Sequence, residues 1–164
     1  RKKYPKKWCS SFLNFCLIAK KYKINTLAGI SPGLDYNFSD DDFDFDRLLT
    51  KSRQLKDSGA DKIVLMFDDI PEKFEKLKID DYSEGFHHAN LANRLSNKLG
   101  EKIIVVPRIY SDELISHENS YLTDFTDVLN KDLPIFYCGK KIVSETTNEN
   151  EFSAIKEKTL NNKS

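Results

Sequence analysis

Ile63-Val64-Leu65-Met66-Phe67-Asp68-Asp69-Ile70-Pro71 is the stretch whose reading decides the fold. Five consecutive apolar residues, three of them aromatic or β-branched, predict a strand buried on both faces, as in parallel sheets. The run stops on two adjacent carboxylates and then on a proline, which cannot continue a ladder. In α/β folds ligands bind at the carboxyl ends of parallel strands. A pair of aspartates at that place marks the candidate site.

Working outward, the flanking segments alternate between strand and helix patterns. Pro5 marks the start of a first helix that ends near Lys23, with Trp8, Phe12, Phe15, Cys16 and Ala19 at helical spacing. Ile24 to Ile30 predicts a strand closed by Ser31-Pro32-Gly33, a turn signal. An acidic loop, Asp40 to Asp44, leads to a helix over Phe45 to Asp57 that stops at Gly59. After the central strand come a polar loop (Glu72 to Tyr82), a helix over Glu84 to Leu99 closed by Gly100, and a strand over Ile103 to Tyr110. A helix over Tyr121 to Asn130 and a fourth strand over Leu133 to Gly139 follow. The tail has a helical pattern from Asn150 to Leu160, and residues 161–164 are expected to fray.

The strand starts, Ile24, Ile63, Ile103 and Ile135, lie 39, 40 and 32 residues apart, and each strand is followed by a helix. Repeated βα units build parallel sheets with right-handed crossovers. Two architectures fit this α/β pattern: an open doubly wound sheet, or an arc of a (β/α)8 barrel. A whole barrel needs about 250 residues, so 164 supply about half of one. The opening helix lacks a preceding strand, which favours the fragment.

The composition bounds the partners. Hydrophobic residues make up 39% and charged ones 32%, the balance of a globular chain that leans polar. Lys+Arg and Asp+Glu are equal at 26 each, so no global field draws in nucleic acid or an anionic membrane. No apolar run approaches the ~18 residues of a membrane span. The 3 cysteines, Cys9, Cys16 and Cys138, form neither an even framework nor a metal-ligand spacing. Cys9 and Cys16 fall on one helix face as core thiols. Scattered thiols in odd number suit a reducing compartment, and the expected location is cytoplasmic.

Each chemical signal has a plainer reading beside it. Asp69 can cap a short helix starting near Pro71, with Asp68 a solvated neighbour. Alternatively, two carboxylates in one site cannot both ionise easily, so one becomes a proton donor and the other a permanent anion. That is the division of labour of glycosidases. Adjacent residues stand too close to flank a glycosidic bond, but a substrate whose own 2-acetamido oxygen attacks the anomeric carbon removes that difficulty. Asp68-Asp69-Ile70-Pro71-Glu72 also resembles the magnesium motif of prenyl-diphosphate enzymes, which lies on helices; a magnesium-dependent phosphoryl-transfer α/β enzyme stays open as a rival. The acidic loop lacks the EF-hand pattern and is expected to serve the following helix N-terminus rather than calcium. His87 and His88 point about 100° apart on their helix and cannot share a metal there; one is expected partly buried, the other exposed. Tyr110 ends its strand level with Asp69 and should reach the same rim.

Three stretches together carry a family resemblance: Ile30-Ser31-Pro32-Gly33-Leu34-Asp35, Phe67-Asp68-Asp69-Ile70, and Tyr121-Leu122-Thr123 through Cys138-Gly139-Lys140-Lys141-Ile142-Val143. In order and spacing they resemble glycoside hydrolase family 84, the O-GlcNAcases and bacterial β-N-acetylglucosaminidases, some called hyaluronidases. The resemblance implies strands three to six of a (β/α)8 barrel, with residues 1–164 one partial catalytic domain. It implies substrate-assisted, retaining hydrolysis of terminal β-linked GlcNAc on glycoproteins or glycans, with no metal or organic cofactor. Asp68 would then hold the acetamido N–H, Asp69 act as general acid and base, and Tyr110 contact the acetamido group, with Cys138 and Ile142 lining the pocket. The chain reads Pro107-Arg108-Ile109-Tyr110 where the family usually has Pro-Thr-Glu-Tyr, and Tyr137-Cys138-Gly139 where Trp-Thr-Gly is common. The first-strand glycines, a substrate-binding Lys and a Trp-Asp-Asn segment do not occur here, so the segment alone is expected to be inactive. A non-catalytic carbohydrate-binding remnant is the remaining alternative.

Overall fold

The computed structural model describes residues 2–32, 36–68, 82–115, 120–143, 145, 149–150 and 153. At its centre is a three-stranded parallel sheet in the order β1-β2-β3, with β1 over Leu27–Ile30, β2 over Lys62–Met66 and β3 over Ile104–Val106. Ala28 stands beside Ile63, Ile30 beside Leu65, and Leu65 beside Val105. Parallel neighbours need crossovers, and helices α2 (Asp42–Asp57) and α3 (Glu84–Leu99) supply them. The chain-ordered parallel sheet is what the strand spacing predicts.

The strands are shorter than their apolar runs, for identifiable reasons. β1 begins late because Thr26 is tied to the turn before β2: its N–H and hydroxyl both donate to the Asp61 carboxylate, at 2.7 and 2.9 Å. β3 stops at Val106 because Pro107 has no N–H for the ladder. The expected fourth strand, Leu133 to Gly139, needs correction. It makes one parallel bridge, Ile135 beside Val105. Pro134 has no donor of its own, and past Phe136 the main chain bonds to Tyr110 and Ser111 instead of a ladder. The segment keeps the position of a fourth strand without its length.

One face of the sheet forms the core. Ile63, Leu65 and Phe67 are fully buried with Ile103 and Val105, against Phe45 and Leu55 of α2 and Leu91 and Leu95 of α3. Val64 is buried too, so the middle of β2 is covered on both sides, whereas β1 alternates exposed and buried residues. The acidic stretch is partly helical: α2 starts at Asp42 rather than Phe45, because Asp42 and Asp44 in its first turn favour a helix N-terminus. α3 matches its expected bounds. The Ser83 hydroxyl accepts from the Phe86 N–H at its start, and Gly100, at φ 70°, adopts the left-handed cap at its end. In α1 (Lys6–Lys21), Cys16 is buried and Cys9 half-buried; the Tyr4, Trp8 and Phe12 rings stack at 4.3 and 5.1 Å.

α4 (Tyr121–Val128) lies on α3 at main-chain distance. A Cβ on Gly85 would run into the Tyr121 carbonyl and the Phe125 amide, neither of which can swing aside. At the far end Asn93 clamps α4, donating to the Val128 carbonyl and accepting from the Asn130 N–H, both at 2.8 Å. Under this crossing His88 is fully buried, stacked on Phe67 at 4.0 Å and 7°, with Nδ1 3.0 Å from the Tyr121 hydroxyl. Burial, reinforced by the Arg108 and His87 charges, holds its pKa well below the usual imidazole range.

Two outcomes are expected. Gly85→Ala gains about 1 kcal/mol of helix propensity but incurs an overpacking cost of about 1–3 kcal/mol. It should therefore lower the urea midpoint, while Asn90→Ala on the exposed side of α3 should not. His88 resists protonation only when folded, so its stabilising contribution is whole above about pH 6.5 and declines below it, by up to about 1.4 kcal/mol per pH unit. His88→Gln should flatten that decline. Urea midpoints measured near pH 5 and near pH 7.5 check it, and an unchanged difference between them would mean that the folded imidazole is charged.

Candidate active site

Asp68 follows β2 by two residues and is half-buried. The residue between, Phe67, makes the last main-chain bond to β3 among the described residues: its N–H donates to the Val106 carbonyl at 2.9 Å. Beyond it the apolar run is over, and Asp68 stands at the carboxyl edge of the sheet. Asp69, Ile70 and Pro71, with the helix start expected there, lie outside the described residues.

Tyr110 is half-buried at the same edge, four residues past the end of β3. Its carbonyl accepts from the Cys138 N–H at 2.7 Å. The neighbouring contacts zip the two segments together. The Asp112 N–H and the Ser111 hydroxyl both donate to the Gly139 carbonyl, at 2.8 and 3.0 Å. The Ile142 N–H reaches Glu113 Oε2 at 2.8 Å, and the Tyr137 hydroxyl donates to Asp112 Oδ1 at 2.6 Å. Burial, then the Asp112 bond, raises the Tyr137 pKa above its ordinary value. Tyr110 and Cys138 are thus joined by a main-chain bond and Ile142 is tied to the same 110–113 segment through the Glu113 side chain, with Cys138 and Ile142 exposed. Asp68 stands at the end of the adjacent strand.

Beneath this rim lies a polar cluster that sequence reading missed. Arg108 Nε donates to Glu84 Oε1 and Oε2 at 2.7 and 2.8 Å, and its Nη2 lies 2.6 Å from Oε2. The two side chains are only 11% and 12% exposed. A fork so well desolvated is strongly coupled, and removing one partner alone typically costs ~3–5 kcal/mol. The Arg108 main-chain N–H, past the end of the ladder, donates to the Tyr121 hydroxyl at 2.9 Å. Tyr121 is buried, which raises its pKa, and its hydroxyl is the one facing His88. The available signals were the Arg108 in an otherwise apolar strand and the Glu84 in the first turn of a helix.

The remaining candidates resolve as follows. His88 is fully buried and His87 half-buried, each deeper than expected because α4 and Phe38 cover this face of α3. The aspartates around residue 41 are occupied by protein donors: Arg94 binds Asp41 and Asp42 at 2.7 and 2.9 Å, and the Asn37 N–H reaches Asp44 at 3.0 Å. Among the described residues no group of three or more His, Cys, Asp or Glu could hold a metal ion, and no helix is long and apolar enough to cross a membrane.

A family model described as beta-N-acetylglucosaminidase (NAGidase) matches residues 1–164. Among solved structures, the chain is similar to the one titled "Structure of CpGH84B", with a TM-score of 0.81 at 21% sequence identity. That match covers 96% of this chain and 28% of the other, so the chain spans little more than a quarter of its structural relative. At such identity the likeness speaks for the fold, helices on a parallel sheet. With the family match running from the first residue to the last, the chain belongs to the beta-N-acetylglucosaminidase family.

Proposed function

We propose that these residues form part of the catalytic domain of a β-N-acetylglucosaminidase, contributing the third to sixth strands of a (β/α)8 barrel and their helices. The family match over the whole chain carries the reading. The chain-ordered parallel strands, with Asp68 and Tyr110 both past the carboxyl ends of neighbouring strands, support it. The substrate is a terminal β-linked GlcNAc on a glycoprotein or glycan, and neither nucleic acid nor a membrane is a partner.

In this reading the nucleophile belongs to the sugar. The 2-acetamido oxygen attacks the anomeric carbon as the bond to the leaving oxygen breaks, giving a bicyclic oxazoline. Asp68 accepts a hydrogen bond from the acetamido N–H and orients the attacking oxygen, and its negative charge stabilises the positive charge that develops on the ring. Asp69 gives its proton to the leaving oxygen. It then takes a proton from the water that opens the oxazoline, and two displacements at one carbon return the β configuration. The Tyr110 hydroxyl contacts the acetamido group, and Cys138 and Ile142 line its pocket. No metal or organic cofactor takes part.

Two measurements on the intact enzyme test these roles. Asp69→Asn is expected to slow substrates with poor leaving groups by about 10²–10⁴-fold while largely sparing activated aryl glycosides, which need little protonation. Asp68→Asn should slow both. Equal losses for the two variants on both substrates would contradict the division of labour. Dialysis against a chelator should leave turnover unchanged; loss restored by Mg²⁺ would point instead to phosphoryl-transfer chemistry.

A further inference from the structure

Past Val106, β3 has no ladder bond to β2 among the described residues, yet the rim needs Tyr110 held against the end of β2. The segment is instead held by side chains from two helices. We propose that Glu84, Arg108 and Tyr121 are positioning residues for the acetamido end of the sugar site, a role that rests on the function proposed above. Glu84 opens α3, the helix to which the chain returns after Asp68 and Asp69. Arg108 stands two residues before Tyr110. Their bidentate bond therefore joins the first turn of α3 to the segment that delivers Tyr110.

Three observations make this a fixed fork rather than a surface ion pair. Both side chains are nearly nine-tenths buried. The guanidinium is engaged through Nε and Nη2 together, which sets its plane as well as its distance. The Arg108 main chain is held independently, because its N–H donates to Tyr121, whose ring also lies 5.1 Å from the guanidinium carbon. The same hydroxyl has one hydrogen to give, and His88 Nδ1 lies 3.0 Å away, with its ring stacked on Phe67 beside Asp68. Among the described residues the end of β3 is thus tied to α3 through Glu84 and to Phe67, at the end of β2, through Tyr121 and His88.

A misplacement of about 1 Å at a reacting centre can cost about 10²-fold in rate. The test uses the intact enzyme and aryl β-GlcNAc substrates with one activated leaving group, whose N-acyl group is acetyl, fluoroacetyl or trifluoroacetyl. Fluorine weakens the attacking oxygen, so the fall in kcat/KM along the series measures participation of the amide. Glu84→Gln and Arg108→Met are expected to lower kcat by 10–100-fold on the acetyl substrate and to flatten the series, with melting temperature followed in parallel. Arg108→Lys keeps the charge without the fork and should rescue turnover poorly. The double variant Glu84→Gln/Arg108→Met leaves no lone buried charge, so it should regain stability over Arg108→Met without regaining kcat. Turnover that recovers with stability in the double variant, or single variants that retain the wild-type series, would overturn the positioning role. A wild-type enzyme whose rate ignores fluorination would instead overturn the substrate-assisted reading on which it rests.

Discussion

Burial of β2 on both faces is the constraint from which the rest follows. A strand whose Ile63, Val64 and Leu65 are all covered has no side chain to spare for solvent or substrate. Polar chemistry can begin only where the cover ends, and Phe67 is fully buried and bonded to β3 while Asp68, the next residue, is half-exposed. Asp68 emerges at that boundary, at the margin of a low-dielectric core where a carboxylate interacts more strongly than in water. The helices are spaced to suit: α2 and α3 cover the core face, and α3 starts at the carboxyl edge because it must return antiparallel to the strand it follows.

Much of this was legible in the sequence, for local reasons. α3 could be bounded to the residue because both of its ends are chemical: a serine hydroxyl that satisfies a first-turn amide, and a glycine that alone adopts φ 70° without cost. β2 was legible because no other element accommodates five apolar residues followed by Asp-Asp and proline. The misreadings also have causes. Asp42 and Asp44 were assigned to a loop on composition, yet their charges favour the first turn of α2. Leu133 to Gly139 has the composition of a strand, but Pro134 removes a donor and the later residues bond to the 110–112 segment instead. Contacts between distant residues were not legible at all: Glu84 and Arg108 are 24 positions apart, and each alone reads as an ordinary solvated charge.

The candidate site divides in the same way. Asp68 and Tyr110 follow β2 and β3, Cys138 and Ile142 lie in the next segment, and a main-chain bond to Tyr110 and a bond to the Glu113 carboxylate tie that segment to 110–113. Their roles toward a sugar rest on family membership and on the proposals above. Ile109 is nearly fully buried in the core, and Arg108 pairs with a helix-terminal glutamate at a nearly buried position.

The bond from the Arg108 amide to Tyr121 has one more consequence. In the body of the sheet an amide is shielded from water by its neighbouring strand, and its proton exchanges with solvent only when the sheet opens. The Arg108 amide is shielded by a hydroxyl on the first residue of α4. Its exchange rate therefore reports the lifting of a helix rather than the parting of strands. Set against the amide of Phe67, which the sheet itself protects, that single proton separates local undocking of α4 from global unfolding.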